Sequence, residues 1–373
     1  MATEASRRRC LRALAALGLL PGTAAFAQAL KGPPLRLALA WDEAPAGPSA
    51  ERTRCLGVWV LADGRFEVAA RQVVPTRAHG VARLPGGELL AVARRPGLWL
   101  RRWAADGRLL HEAWAEPGRQ FNGHVLPSAD GRVLYSTEQT HDDGAGCVAL
   151  RDPLTLALRG EWPTGGTDPH QMLQVGDRLF VANGGVPTRP ETGRAKHDLP
   201  AMDSSLAVFD TRNGQRLGLW RLPDARLSLR HLAWHAPSAT LGIALQAEHD
   251  DPAERACAPL LALFDGASLR AVPLPEGRAD AGAGYAGDIA ATGEGFVLSA
   301  SKAGALMGWS LQGGWRAPVP LAEACALAAA APGFWALGAL GGLGAEHGWT
   351  DDGAPTPALP AGCKPDNHAL LLA

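Results

Sequence analysis

Five histidines recur at one position of a pattern that is repeated along the chain. Each one ends a short polar signature and is followed at once by an apolar stretch typical of a β-strand. Imidazole titrates near neutral pH and is a common ligand of transition metals. Side chains at one phase of a closed repeat fold lie together, so the pattern predicts a shared metal site. The five residues are His79, His124, His170, His231 and His368.

Each histidine opens a unit with the order strand, tight turn, strand and polar end. His79, for example, precedes an apolar run at 81–84, a Pro-Gly-Gly-Glu turn and a second apolar run at 89–93. This order is that of the inner hairpin of a β-propeller blade. The first three spacings between the histidines are 45, 46 and 61 residues. A polar insertion at 186–202 accounts for the longest of them.

Taken together, the units predict an all-β fold in which residues 28–373 form a single seven-bladed β-propeller. Two weaker units, which lack the histidine, begin near Asp288 and Cys325. Glycine and proline are scattered as turn signals between short strands, and no amphipathic helix is evident in this range. A two-sheet sandwich is the competing architecture, but it does not explain why a polar signature recurs at one phase.

The strand that follows His368 needs partners from elsewhere in the chain. Unassigned N-terminal strands at 35–40, 55–61 and 66–74 would complete its blade and remove the exposed edges of an open array. We therefore expect the propeller to be closed by one C-terminal strand and these N-terminal strands. In that arrangement Leu370 pairs with the strand around Leu37.

Polar residues at the end of the second strand of each unit would lie on the same face as the histidines. Several of the residues expected at this mouth are arginines, whose planar guanidinium groups match carboxylate and phosphate oxygens. The composition of the mouth favours an anionic ligand or a carboxylate-bearing metal complex. The predicted ligand-binding residues are Arg94, Arg95, Arg119, Glu138, Asn183, Arg194, Arg230 and Gln246.

Structural roles compete with these functional ones. A single histidine at the start of a blade strand commonly makes a structural hydrogen bond, as in the Gly-His dipeptide of some propellers. Asp288, at the histidine phase, is either a carboxylate ligand or a turn residue. Cys325, at the same phase, is either a buried thiol or a soft ligand.

Residues 1–27 are predicted to be a twin-arginine signal peptide. Arg7, Arg8 and Arg9 precede a short apolar segment at 14–20 and a small-residue cleavage signature, Ala25-Phe26-Ala27. No later stretch is long and apolar enough to span a membrane. The expected location is therefore the periplasm.

Charge and cysteine content narrow the possible partners. Without the signal peptide, 32 basic and 36 acidic residues remain, a balance that argues against binding to nucleic acid. Cleavage leaves five cysteines, whose pairing the sequence does not assign: Cys55, Cys147, Cys257, Cys325 and Cys363. They include no Cys-x-x-Cys spacing, which disfavours covalently attached haem and zinc ribbons.

The ordered signatures resemble those of a family of twin-arginine-exported bacterial proteins that is classed as a domain of unknown function. The motifs cover most of the chain: Arg94-Arg95-Pro96-Gly97, Gly118-Arg119-x-Phe121-x-Gly123-His124, Asp168-Pro169-His170, Asn183-Gly184-Gly185, Gly193-Arg194, Ser228-x-Arg230-His231 and Asp366-Asn367-His368. The resemblance implies a β-propeller and a setting in metal acquisition. It also implies partners among periplasmic iron-uptake proteins of the imelysin-like and di-haem peroxidase-like kinds.

Three classes of function are compatible with these observations. The favoured one is a periplasmic binding or accessory protein whose histidine and arginine mouth engages iron, another metal or a metal-loaded partner. The second is an enzyme that holds copper in the channel or performs acid-base chemistry on an anionic substrate. The third is a protein-interaction scaffold, since a propeller fold does not fix a function.

Overall fold

Short apolar runs separated by glycine and proline turns form the β-strands of this protein. The computed structural model describes residues 34–45, 47, 51–141, 144–188, 195–275, 281–330, 332–345 and 356–372. The predicted signal peptide and Arg194 lie outside these residues. Residues from Arg36 onward belong to one compact unit.

The strands of the first half of the chain are β1 (Arg36–Glu43), β2 (Thr53–Ala62), β3 (Arg65–Val73), β4 (Ala78–Arg83), β5 (Leu89–Ala93), β6 (Trp99–Trp103), β7 (Leu109–Trp114), β8 (Arg119–Pro127), β9 (Leu134–Thr140), β10 (Ala145–Arg151), β11 (Leu158–Thr167), β12 (Pro169–Val175) and β13 (Arg178–Asn183). Those of the second half are β14 (Ser205–Asp210), β15 (Arg216–Trp220), β16 (Leu227–His235), β17 (Thr240–Ala247), β18 (Leu261–Phe264), β19 (Leu269–Val272), β20 (Ile289–Ala291), β21 (Gly295–Ala300), β22 (Ala305–Ser310), β23 (Gly314–Trp315), β24 (Val319–Pro320), β25 (Ala326–Ala330), β26 (Gly333–Leu337), β27 (Gly342–Ala345) and β28 (Cys363–Leu372). A short helix, α1 (Pro252–Cys257), and two 3-10 turns, Leu199–Ala201 and Ala236–Ser238, complete the described elements.

Most sheets are antiparallel meanders of consecutive strands. Four sheets consist of β4 to β7, β8 to β11, β12 to β15 and β16 to β19. A fifth runs from β20 to β23, with β24 paired to β22. The expectation of an all-β fold is confirmed, and the succession of four-stranded antiparallel sheets is consistent with a propeller.

The remaining sheet joins the two ends of the described chain. Its order is β27-β26-β25-β28-β1-β2-β3. Strand β28 pairs antiparallel with β1, and Leu370 lies opposite Ala38, as expected from the sequence. A single parallel pairing between Leu327 and His368 connects β25 to β28.

The first strands of the five smaller sheets and two strands of the seven-stranded sheet, β25 and β28, touch one another in a circle. These contacts run from β28 to β4, β8, β12, β16, β20 and β25, and the pairing of β25 with β28 completes the circle. Because all five signature histidines lie on strands of this circle, the topology brings them to the centre of the fold.

Burial follows the order of strands within a sheet. All five residues of β5 are buried, because both faces of an inner strand are covered by neighbouring sheets. Strand β7, at the outer edge of the same sheet, alternates between exposed and half-buried residues. Among the described residues, no helix has the length and apolar character needed to cross a membrane.

Candidate metal centre

All five signature histidines lie inside β-bulges of the strands that form the central circle. The register between β4 and β5 shifts between Ala78 and Val81, on either side of His79. Equivalent shifts span His124 in β8, His170 in β12, His231 in β16 and His368 in β28. A bulge leaves residues outside the regular ladder and redirects their side chains. The histidines therefore lie within their strands, and not before them as the sequence pattern suggested.

The five imidazole rings pack against one another in one buried cluster, which we call the histidine cluster. His79 contacts the other four rings, with centroid separations between 4.6 Å (His368) and 5.9 Å (His231). The shortest separation in the cluster is 4.5 Å, between His231 and His368. None of the five residues is more than 9% exposed.

Several imidazole nitrogens of the histidine cluster find no hydrogen-bond partner among the described residues. His79 lacks a partner at both Nδ1 and Nε2, and His124 and His368 lack one at Nε2. A buried polar atom without a partner is costly, which is the situation expected where a bound ion normally satisfies the lone pairs. One ligand nitrogen from each of His79, His124, His231 and His368 lies within 4.8 Å of the others.

His170 is attached to this set through another imidazole. Its Nε2 lies 3.0 Å from Nε2 of His231, so one of the two nitrogens carries a proton and donates it to the other. This contact occupies Nε2 of His231, whose Nδ1 has no partner among the described residues.

Asp288 fixes the tautomer of His368. Its Oδ2 lies 3.1 Å from Nδ1 of His368 and accepts a further hydrogen bond from the backbone N–H of Leu327. A carboxylate at one imidazole nitrogen holds the proton there and leaves a lone pair at the other, the arrangement common behind metal-ligating histidines. The sequence offered two roles for Asp288, a carboxylate ligand and a turn residue. The geometry favours neither, because the carboxylate binds Nδ1 of His368.

Burial favours the neutral form of four histidines of the cluster. It lowers the pKa of His79, His124, His170 and His231 well below the usual imidazole value, and positive charge on neighbouring imidazoles and arginines adds to this effect. Neutral imidazole is the form that binds metals.

Gly123 creates the space that His79 occupies. It has φ of +99°, and a Cβ built there would lie 2.7 Å from Cδ2 of His79. A side chain at this position would both strain the backbone and displace the imidazole. The Asn-Gly-His signature therefore serves two histidines, because Gly123 also precedes His124.

A polar cavity of about 90 Å³ adjoins the histidine cluster. Its lining includes His79, His170 and His231 together with cationic side chains from several sheets. Four predicted ligand-binding residues lie there: Arg94, Arg95, Arg230 and Gln246. The cavity is also lined by residues that the sequence did not single out, namely Asn122, Lys196, Glu248, Tyr285 and Asn367.

A buried carboxylate organises the arginines of the cavity. Asp168 accepts hydrogen bonds from Arg95 at Oδ1 and from Arg230 at Oδ2, the latter at 2.9 Å. Its own exposure is 1%. The Asp-Pro-His signature thus supplies a cluster histidine and, two residues earlier, the counter-ion of two arginines, a role that the sequence did not assign.

Three predicted ligand-binding residues are not part of the cavity lining. Arg119 and Glu138 belong to a chain of ion pairs in the sheet β8 to β11: Arg119 binds Glu138 and Glu161, and Glu138 also binds Arg151. Glu138 is fully buried, so its charge is used within the sheet. Asn183 is fully buried as well and donates to Ser205 across two strands.

The described cysteines are all free. Sγ of Cys325 lies 3.3 Å from the backbone carbonyl oxygen of Leu337 and 3.6 Å from that of Pro365, so its single proton is donated to one of the two. Burial raises its pKa to about 12, which favours the buried-thiol alternative.

Acidification should destabilise the fold through the cluster. An unfolded chain takes up protons on these histidines near pH 6.5, whereas the folded chain, with lowered pKa values, does not. Stability is therefore complete above pH 6.5 and is lost as the pH falls below it, by about 1.4 kcal/mol per pH unit for each such imidazole. Urea unfolding between pH 7.5 and 5, in the presence of a chelator, measures this slope. The variant with His124→Gln and His170→Gln should lose about half of it, and a flat profile for the unaltered chain would contradict the assignment.

Gly123→Ala should lower the unfolding temperature more than Gly118→Ala. Both positions have positive φ, but a Cβ at Gly118 meets no atom within 4 Å. Gly118→Ala therefore carries only the backbone strain, about 1 kcal/mol, whereas Gly123→Ala also displaces His79. Thermal unfolding followed by circular dichroism compares the two. Equal losses would mean that the space beside His79 is not required.

Comparison with known proteins places this architecture in context. A search of curated proteins finds no match. Among solved structures, hydrazine synthase of Kuenenia stuttgartiensis superimposes with a TM-score of 0.56 at 11% identity, over 76% of this chain and 88% of that one. A functionally unknown protein from Desulfotomaculum acetoxidans gives 0.50 at 13% identity, over 79% and 87%. A structure described as the Dos1 propeller gives 0.46 at 13% identity, over 72% and 66%.

At these identities the likeness to solved structures concerns the fold alone. The family model of proteins of unknown function designated DUF1513 matches residues 72–372, a range that includes all five histidines of the cluster. The chain belongs to the DUF1513 family.

Proposed function

We propose that this protein binds one first-row transition metal ion at the histidine cluster and serves as a binding or accessory protein in metal acquisition. The observation that carries the proposal is the convergence of ligand nitrogens from four strands in a cluster where His79, His124, His231 and His368 each have a buried nitrogen without a partner among the described residues. A structural role for each histidine would be expected to leave these nitrogens hydrogen-bonded.

The distances fit an ion after a small contraction. Two nitrogens on opposite sides of one ion, each at about 2.1 Å, are about 4.2 Å apart. The largest separation among the four ligand nitrogens is 4.8 Å. In tetrahedral geometry the separation is about 3.4 Å, so side-chain adjustments of up to about 0.7 Å each would bring His79, His124, His231 and His368 to ligand distance.

The donor set limits the choice of metal. Neutral imidazoles suit iron(II), copper, nickel and zinc, and they bind magnesium or calcium poorly. Of the candidates from the sequence, iron and copper both remain compatible. Because the five rings supply no negative charge, a divalent ion would keep its full charge inside the fold.

The same proposal includes a seven-bladed propeller. It is supported by counting β28-β1-β2-β3 as one blade and β25 to β27 as another, since only one residue pair joins them. An experimental structure in which these strands form one continuous blade would contradict this count.

We also propose that the protein is exported to the periplasm and acts there with iron-uptake proteins of the imelysin-like or di-haem peroxidase-like kinds. The support is the twin-arginine pattern of the first 27 residues and the resemblance described above. Export of a folded chain suits a site whose ligands come from strands throughout the fold.

Removing two ligands should abolish metal retention. The variant with His124→Ala and His368→Ala is expected to bind at least about 100-fold more weakly, because the two remaining imidazoles of the set cannot enclose an ion. Metal content is measured by elemental analysis after loading with iron(II), copper(II) or zinc(II) and dialysis. The control is His111→Ala, on the outer strand β7, with circular dichroism to verify folding. Equal metal content in the double variant and the unaltered chain would refute the site.

A second variant tests the same site without removing a ligand. Asp288→Asn should weaken metal affinity about 10- to 100-fold, since the carboxylate no longer fixes the proton on Nδ1 of His368.

Export should depend on the arginine triplet. Replacing Arg7, Arg8 and Arg9 with lysine is expected to hold the protein in the cytoplasm, whereas Arg12→Lys should not, as shown by fractionation and immunoblotting. A periplasmic location of the triple variant would argue against the twin-arginine route.

A further inference from the structure

The cavity beside the histidine cluster has an unbalanced charge. Its lining holds Arg94, Arg95, Lys196 and Arg230, and the acidic residues at hand are Glu248, which pairs with Lys196, and Asp168, which pairs with Arg95 and Arg230. Even if Asp288 is added, the described cationic groups outnumber the anionic ones. A divalent ion bound by neutral imidazoles would add two further positive charges. Positive charges this close repel each other in a buried site.

Arg94 and Arg230 line the cavity together with His79, His170 and His231. Arg230 also directly precedes His231 in β16. These two guanidinium groups would therefore oppose the binding of a cation unless an anion lay between them and the ion.

Arg230 has unused hydrogen-bonding capacity beside the cavity. Its side chain is 4% exposed, and Nη1 binds Asp168. Its buried Nε has no hydrogen-bond partner in the part of the chain that the structure describes. Gly184 leaves room for this pair, because a Cβ there would lie 2.9 Å from Nη1 of Arg230 and 2.7 Å from Oδ2 of Asp168. An orphaned guanidinium N–H suits an oxygen ligand.

The cavity continues into a second, larger one with the same charge. The two share Arg94, Tyr285 and Asn367 as lining residues. The second cavity, of about 300 Å³, adds Arg77, Lys302 and Lys364. Of these, Arg77 pairs with Asp366 and Lys364 with Glu323. A path lined by cations attracts anions and raises their local concentration.

We propose that the metal ion is bound together with a small oxyanion, of the carboxylate or phosphate class, held in the cavity by Arg94 and Arg230. The inner cavity of about 90 Å³ has the volume of roughly three water molecules at the density of the liquid, which is the scale of phosphate or oxalate. The anion compensates the charge of the ion and occupies the orphaned N–H of Arg230. The role of the metal in this inference rests on the proposed function, and the anion site rests on the cavity.

Equilibrium dialysis with radiolabelled oxalate, and separately with radiolabelled phosphate, tests the inference on the full chain. Metal-free and metal-loaded protein are compared, and bound anion and bound metal are counted in the same samples. We expect one anion for each metal-loaded chain, with affinity at least about tenfold higher than in metal-free protein. The arm with the tighter binding identifies the oxyanion class.

Arg94→Gln should weaken anion binding at least about tenfold, because a charged, planar donor pair is lost. Arg94→Lys should restore part of the affinity. Arg65→Gln, an exposed arginine on β3 far along the sheet from β28, is the matched control and should bind as the unaltered chain does. If Arg94→Gln does not fold, Lys196→Gln, with its exposed side chain, provides the test.

The outcomes separate the two proposals. Retention of metal with no bound anion, or with anion binding unaffected by Arg94→Gln, overturns this inference and leaves the metal site intact. Failure to bind any metal overturns the proposed function. If the chain binds no metal but does bind the anion, and Arg94→Gln abolishes this binding, the oxyanion site alone is supported. If the chain binds no anion either, the oxyanion site is overturned as well.

Discussion

The packing of five buried imidazoles at the centre of the fold is the constraint on which the other features depend. Each histidine leaves the regular ladder at a bulge in a strand of the central circle. A bulge weakens local pairing, and burial of unpartnered nitrogens adds a further cost. The surrounding sheets, with inner strands such as β5 buried throughout, must supply the stability that offsets both.

Electrostatics follows the same geometry. Asp168 binds Arg95 and Arg230, and Asp288 binds Nδ1 of His368, the nitrogen other than the unpartnered Nε2. The acidic groups therefore orient the site and leave its interior to nitrogen donors. Nitrogen donors bind magnesium and calcium poorly. The charge of a bound transition-metal ion must therefore be balanced from the adjoining cavity.

Sequence periodicity was sufficient to predict the class of the fold, the pairing of β28 with β1 and the convergence of the histidines. The position of a residue within the repeat indicates which residues of different sheets lie close together, and this was sufficient to predict that histidines such as His79 and His231 converge. It does not report what a side chain is bonded to. Glu138 and Asn183 occupy the expected strand ends, but ion pairs and hydrogen bonds inside the sheets use their side chains. Lys196 reaches the cavity from the insertion at 186–202, which has no repeat logic. Glu248 directly follows β17, where polar residues were expected, but repeat phase did not distinguish it from Gln246.

The junction of β28 with β1 has a consequence for folding. His368 belongs to the strand that closes the circle, and closure joins segments from opposite ends of the described chain. Contacts of such long range form late, because the entropy of the intervening loop must be overcome first. The fourth imidazole of the set therefore arrives only when the circle closes. An ion that binds the complete set of imidazoles, and not the form in which β28 is unpaired, would stabilise the closed circle by mass action. The concentration of metal would then determine how often β28 separates from β1.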